Sequence, residues 1–339
     1  MTMPIRSTLL RHLLYTLAGA GVLLAVTSTL EPFRSFQLAT VAAYFCATAG
    51  LTVLTGLNGQ LSLGHGALMA VGAYTVAIAQ NMLSDEGFSG GWLLPVSLLA
   101  AVLTTVIAGL VIGLAAARLR GPYLAGVTLA VAVTIPALTT AFDEVFNSDQ
   151  GLSVYLDPPP ASLGLTFPLE RWQAWIALGT ALIVALLLAN LVHSRYGRTL
   201  RAVRDNEVAA RLAGINVART QVSAFVVSAA CAGLGGGLLA VVTQSVSPGA
   251  YSLTLSLFLL MAVVVGGLGS LTGAVWGALL LVVLPDLTHT LTEGLSPSAA
   301  QRLEGNLSLA VFGLTLIVVM IAAPGGIQGL FRKLTGARS

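Results

Sequence analysis

The chain has 339 residues, 56% of them hydrophobic and only 9% charged, with a mean hydropathy of +0.90. Its 16 basic and 13 acidic residues give a net charge of +3. That is too few to cover a soluble domain, where about a quarter of residues are charged, and it excludes a water-soluble enzyme, a disordered chain and a nucleic-acid binder with a basic face.

A helix needs about 20 apolar residues to cross the bilayer hydrocarbon. Taken in chain order, the apolar runs predict spans at 13–30, 36–56, 60–80, 93–116, 121–141, 172–192, 222–243, 252–265, 272–287 and 306–323. The expected fold is an all-α polytopic bundle of about ten spans (eight to ten), with short or interrupted helices and a single transmembrane domain over 1–339. Arg6 and Arg11 precede the first run as in a signal peptide, but no small-x-small cleavage site follows, so the first helix is expected to be retained. Cys46 and Cys231 lie inside apolar runs and read as small buried side chains. No Cys/His spacing suits a metal, and no acid/base pair or triad suggests catalysis.

Charge sets the expected orientation. Arg6, Arg11, Arg118, Arg120, the arginines from 195 to 219, Arg332, Lys333 and Arg338 fall on one side, thirteen of the sixteen basic residues. Eleven of the thirteen acids fall on the other, among them Asp143, Glu144, Asp149, Asp157, Glu293 and Glu304, with only Arg34, Arg171 and Arg302 as cations. Basic loops stay inside, so both termini are expected in the cytoplasm. Residues 143–171, with Asp157-Pro158-Pro159-Pro160, read as a structured external loop. Residues 193–221 read as the one long cytoplasmic segment, helical until Gly214.

Residues 56–62 (GLNGQLS) and 266–272 (GGLGSLT) share a GxxGxL[ST] pattern, 210 residues apart, at two expected helix breaks on the inner side. Helix breaks inside a membrane are tolerated only where protein or a wet cavity satisfies the freed backbone, and in transporters they meet near the pathway. Asn58, Gln60, Ser62 and His65 are therefore candidates for the translocation path, with packing within the bundle as the alternative. Gly56, Gly59, Gly64, Gly66, Gly266 and Gly269 mark the breaks. Gly269, Gly273 and Gly277, and likewise Ser62, Gly66 and Ala70, recur every fourth residue, as at close helix–helix seams.

The chain has a single lysine, Lys333, and no phosphate-cradling GxxxxGK[ST] loop, so it cannot hydrolyse ATP itself. Its spans hold no carboxylate to relay protons or sodium. A passive channel and an ion-coupled carrier remain as other readings. The segment from Arg195 to Arg219 carries arginines at 195, 198, 201 and 204 that suit anionic lipid. Val203, Ala210, Leu212 and Ile215 give it an apolar face that suits a partner groove.

Residues 59–67 (GQLSLGHGA), 118–125 (RLRGPYLA), 197–210 (GRTLRAVRDNEVAA), 214–217 (GINV), 246–248 (VSP) and 265–270 (VGGLGS) occur in this order. With them the chain resembles the LivM-type permeases of the branched-chain amino acid ABC importers along nearly its whole length. The resemblance implies a bacterial inner-membrane subunit paired with a LivH-like second permease, two ATPase subunits that hold the ATP and magnesium, and an external substrate-binding protein. It implies no cofactor on this chain. It also implies that 207–214 is the ATPase-coupling element, with Arg198, Arg201, Arg204, Glu207, Ala209, Ala210, Gly214 and Ile215 as its residues. Val208 departs from the usual alanine. Urea and short-amide permeases look alike, so the substrate stays open between hydrophobic amino acids and small amides.

Overall fold

A computed structural model describes residues 8–88, 90–119, 122–164, 167–292 and 297–334. Proline at the first helical position, where its missing N–H costs nothing, opens α2 and α5. The helices are α1 (Thr8–Thr29), α2 (Pro32–Leu51), α3 (His65–Asp85), α4 (Leu93–Ala116), α5 (Pro122–Ala141) and the single turn α6 (Asp143–Phe146). They continue with α7 (Leu169–His193), α8 (Arg195–Asp205), α9 (Glu207–Leu212), α10 (Val217–Thr243), α11 (Leu253–Gly266), α12 (Leu271–Thr292), α13 (Pro297–Ala322) and α14 (Gly326–Leu334). A wider π-helical stretch, Thr52–Leu57, extends α2.

Among the described residues eight helices are long and apolar enough to cross a membrane, and Leu253–Gly266 and Leu271–Leu287 are shorter apolar helices. The molecule is a polytopic membrane bundle. The span expected at 60–80 begins later, at His65, because residues 59–64 are not helical. At 14 residues α11 is about 21 Å long, less than the roughly 30 Å of bilayer hydrocarbon.

The bundle is built around α10, which packs on α4, α2 and α3. Its run Gly233, Gly235, Gly236 and Gly237 presents bare backbone to three neighbours: Thr105 of α4, Ala43 and Ala47 of α2, and Met69 of α3. α2 and α10 are the most deeply buried long helices, whereas α1, α4, α5 and α7 turn most of their surface outward. Cys46 and Cys231 are buried free thiols in this core.

Contacts sort the loops into two ends. Trp175 Nε1 donates to Thr27 Oγ1 at 3.0 Å and Arg171 to the Leu30 carbonyl at 3.1 Å, so α1 ends where α7 begins. At the same end β1 (Leu152–Ser153) pairs antiparallel with β2 (Ser245–Val246), and the Gln80 amide accepts from Tyr155 N–H at 3.0 Å. The described residues 143–164 thus lie over that end. At the opposite end His12 meets Asn190 at 2.8 Å, α8 follows α7, and α14 lies on α11 and α12 with Trp276 stacked on Phe331 at 5.1 Å. That end carries Arg11, Arg118, Arg332, Lys333 and all the arginines from 195 to 219. Arg6, Arg120, Glu293 and Arg338 lie outside the described residues, as do the side chains of Asp149, Arg302 and Glu304.

Candidate functional site

Three side-chain caps shape the polar segment between α7 and α10. Ser194 accepts from Tyr196 N–H at the start of α8, Asn206 from Val208 and Ala209 N–H at the start of α9, and Asn216 from Arg219 N–H at the start of α10. Each supplies an acceptor to N–H groups that have no partner within the helix. α9 closes with Gly214 in the left-handed region at φ +81°. Gly214 N–H reaches the Arg211 carbonyl and Ile215 N–H the Ala210 carbonyl, both at 3.0 Å. This pattern ends a helix and seats the next apolar residue on its last turn. Val203, Ala210 and Val217 form a small buried cluster with Ile215 against it.

That cluster corrects one expectation. Val203, Ala210 and Ile215 face inward, while Leu212 is 86% exposed and Val208 67%. The outward apolar face is the pair Val208 and Leu212, one turn apart on α9, beside exposed Ala209. The arginines also divide. Arg198 is exposed, but Arg201 donates to the Val192 carbonyl at 2.9 Å and Arg204 to the Gly56 carbonyl at 2.7 Å. Arg204 is held on its other edge by Asp205 at 2.8 Å. Glu207 accepts from the Gln221 amide at 3.2 Å and pairs with Arg211 at 3.6 Å. Tyr196 donates to Ser223 at 2.6 Å, and burial pushes its phenol above the ordinary value, so it remains a protonated donor.

The helix break at the other end of the Arg204 bond is α2's continuation. After Leu57 the chain turns at Gly59, φ +76°, and runs back into the bundle. His65 Nε2 then lies 3.1 Å from the Ala47 carbonyl, ten residues back along α2. The freed backbone finds partners: Gln60 N–H donates to Leu54, Leu63 N–H to Thr128 Oγ1 and Gly66 N–H to Ser256 Oγ, while the Gln60 carbonyl accepts from Thr55 Oγ1. Apart from His65 Nε2, most buried polar side-chain atoms there do not. Asn58, Gln60, Ser62 and His65 are all buried. Among the described residues nine buried side-chain polar atoms lack a partner, and five of them belong to these four. Polar groups left unpaired in a low-dielectric interior are costly, so this file of amides, hydroxyl and imidazole has unspent binding capacity.

The two GxxGxL[ST] copies meet. A Cβ at Gly56 would overlap the Gly269 backbone, and Gly59 and Gly269, the fourth residue of each copy, take nearly the same conformation at φ +76° and +78°. Each copy ends one helix and leads into another. Gly266 and Gly273 touch backbone to backbone and Gly277 lies on Ala262, which makes the fourth-residue glycines a seam between α11 and α12 inside the subunit. Gly64 lies on Thr128 and Gly66 on Ser256. A cavity of about 660 Å³ separates the two halves of the arrangement, with Asn58, Gln60 and Leu61 on one wall and Arg204, Glu207 and Gln221 on the other. The sequence-predicted residues therefore fall into one contiguous region in which a surface helix, a charged strut and a broken membrane helix touch in series.

Thr128, Ser256, Thr55 and Gln221 complete that region without having been marked by the sequence. Each is a lone hydroxyl or amide in a helix, with no local pattern to set it apart. No cluster of three or more His, Cys, Asp or Glu able to hold a metal occurs among the described residues.

Comparison with known proteins gives a consistent picture. The chain is 30% identical over 312 residues to the high-affinity branched-chain amino acid transport system permease protein LivM of Salmonella typhimurium, covering 85% of this chain and 68% of that one. It is 31% identical to the Escherichia coli K12 LivM over 313 residues, with the same coverage. To the E. coli K12 LivH permease it is 26% identical over 299 residues, 84% of this chain and 91% of LivH. No solved structure matches. The family model described as branched-chain amino acid transport system / permease component matches residues 34–320. The chain therefore belongs to that family: it is the multi-pass permease component of an ABC transport system, not an enzyme.

Proposed function

We propose that the chain is one of the two membrane-spanning subunits of an ATP-driven importer that carries branched-chain or other hydrophobic amino acids into a bacterial cell across the inner membrane. It crosses an even number of times, eight to ten, with both termini and residues 193–221 in the cytoplasm and residues 143–171 outside. A LivH-like permease completes the conduit, two ATPase subunits beneath the pair hold the ATP and magnesium, one of them docking on α9, and an external binding protein delivers the solute. This chain holds no cofactor of its own.

The observation that carries this reading is the Arg204–Gly56 bond. It ties the exposed element with the apolar pair Val208 and Leu212 to the break that bears the unpaired polar groups. When ATP closes the motor pair, displacement of α9 drags Arg204, and with it the carbonyl of Gly56. The Gly56–Gly269 contact then opens and the file from Asn58 to His65 is offered to the other side. Such coupling needs a discrete two-state element, and a backbone contact without side chains is suited to that. The positive charge at the α9 end supports its cytoplasmic placement. The absence of fixed charge in the path suits a zwitterion with an apolar side chain.

The test is uptake by vesicles that contain the whole complex. Glu207→Arg combined with Gly214→Leu is expected to leave the subunit inserted and the ATPases active while uptake of labelled leucine is lost. Normal ATP-driven uptake by that variant overturns the reading. Unlabelled leucine is expected to compete with the label, and urea is not. Uptake by vesicles holding this chain alone would favour a channel, and vanadate-insensitive uptake driven by an ion gradient would favour a carrier.

A further inference from the structure

Away from the coupling region, the ends of α4 and α10 frame a groove of about 510 Å³. Its walls are Leu110 and Leu114 of α4 and Val222 and Val226 of α10, each pair one turn apart. Arg118 and Arg219 stand at its mouth. Gly109 and Gly113 bring the two helices into backbone contact behind it, with Gly113 facing Phe225 and Val222. The groove is thus a shallow apolar slot about two helical turns, or about 10 Å, long. It opens on the outer face of the bundle, where Leu110 and Leu114 are exposed.

The two guanidiniums are the informative part. Both side chains are exposed, and neither has an acidic partner among the described residues, whose ion pairs are Arg204–Asp205 and Arg211–Glu207. Of the five arginines from 198 to 219, Arg201 and Arg204 are spent on backbone carbonyls and Arg211 on Glu207. Two free cations above a slot of hydrocarbon match one kind of molecule that this surface meets in a membrane: a negatively charged headgroup carrying acyl chains.

We infer that the α4–α10 groove is a binding site for an anionic phospholipid, with its phosphate between Arg118 and Arg219 and the first part of an acyl chain along Leu110, Leu114, Val222 and Val226. Basic pockets between membrane helices take such headgroups by the same combination of charge and apolar contact. The site touches the coupling segment at one place. Ser223, on the groove wall, is the residue that accepts the Tyr196 hydrogen bond from α8. An occupied groove therefore braces the α8–α10 junction.

The test is native mass spectrometry of the full chain, co-purified with its partner subunits and titrated with phosphatidylglycerol or phosphatidylcholine of the same chain length. The wild type is expected to retain phosphatidylglycerol preferentially. Arg118→Gln with Arg219→Gln should weaken that binding by roughly thirtyfold, about fivefold per surface cation removed. Arg118→Lys with Arg219→Lys should keep it, which separates lost charge from lost folding. Val222→Trp, which fills the slot and leaves the charges, should also release the lipid. Equal retention of both lipids, or unchanged selectivity in the Gln pair, overturns the site. So does crosslinking of Val222→Cys to another subunit with no lipid retained, which would make the groove a protein interface.

Discussion

Arg204 is where surface and interior are joined by one side chain. Its guanidinium spans the Gly56 carbonyl and the Asp205 carboxylate, and its stem lies on Gly59, where a Cβ would come within 2.8 Å of Arg204 Cγ. A planar fork can hold two acceptors at fixed separation, which an ammonium cannot. Arg204→Gln is expected to lower leucine uptake by roughly tenfold, the size of one lost charge-assisted hydrogen bond of about 1.5 kcal/mol, while ATP hydrolysis by the complex changes less. Arg204→Lys should recover only part of the uptake. Equal losses of uptake and hydrolysis would make Arg204 a folding residue instead. Four arginines in this stretch are spaced alike, yet only contacts separate Arg204 and Arg201, which hold backbone carbonyls, from exposed Arg195 and Arg198. Spacing alone shows nothing of that division.

Among the elements, the breaks and the turns were the most readable and the faces the least. Gly59 and Gly269 announce their turns because few other residues accept φ near +77°. Asn206 and Gly214 bracket α9 by the chemistry of helix ends. The apolar face of 193–221 was misjudged for a specific reason. At about 100° per residue Leu212 stands opposite Ala210 on α9 and a full half-turn from Val203, so hydrophobicity without helical phase groups residues that face opposite ways. The return of residues 59–64 alongside α2 was not legible either, since it rests on Thr128 and Ser256, hydroxyls in distant apolar helices. Gly56→Ala puts a methyl group into the Gly269 backbone. Overpacking of this kind costs about 1–3 kcal/mol. The purified variant is expected to melt at lower temperature and to transport poorly, and an unchanged melting temperature with normal uptake would show that the two breaks are free to part.

For the whole molecule, hydropathy was sufficient for the all-helical bundle, because solvation by lipid leaves so few alternatives. The membrane sides are open to direct measurement. Native Cys46 and Cys231 are buried, so single added cysteines report cleanly. Leu212→Cys is expected to react with an impermeant maleimide only from the cytoplasm, and Tyr155→Cys, which is 64% exposed at the opposite end, only from outside. The reverse pattern would invert the topology and remove the docking role of α9.

The bonds that steady the broken helix also impose an order on biogenesis. Gly66 waits for Ser256, 190 residues later, and the Thr48 hydroxyl for the Ala274 carbonyl, 226 residues later. A polypeptide truncated before α11 and α12 is therefore expected to leave that bend and α2 without these two partners, and to be degraded faster than the full chain when both are expressed and followed by pulse-chase.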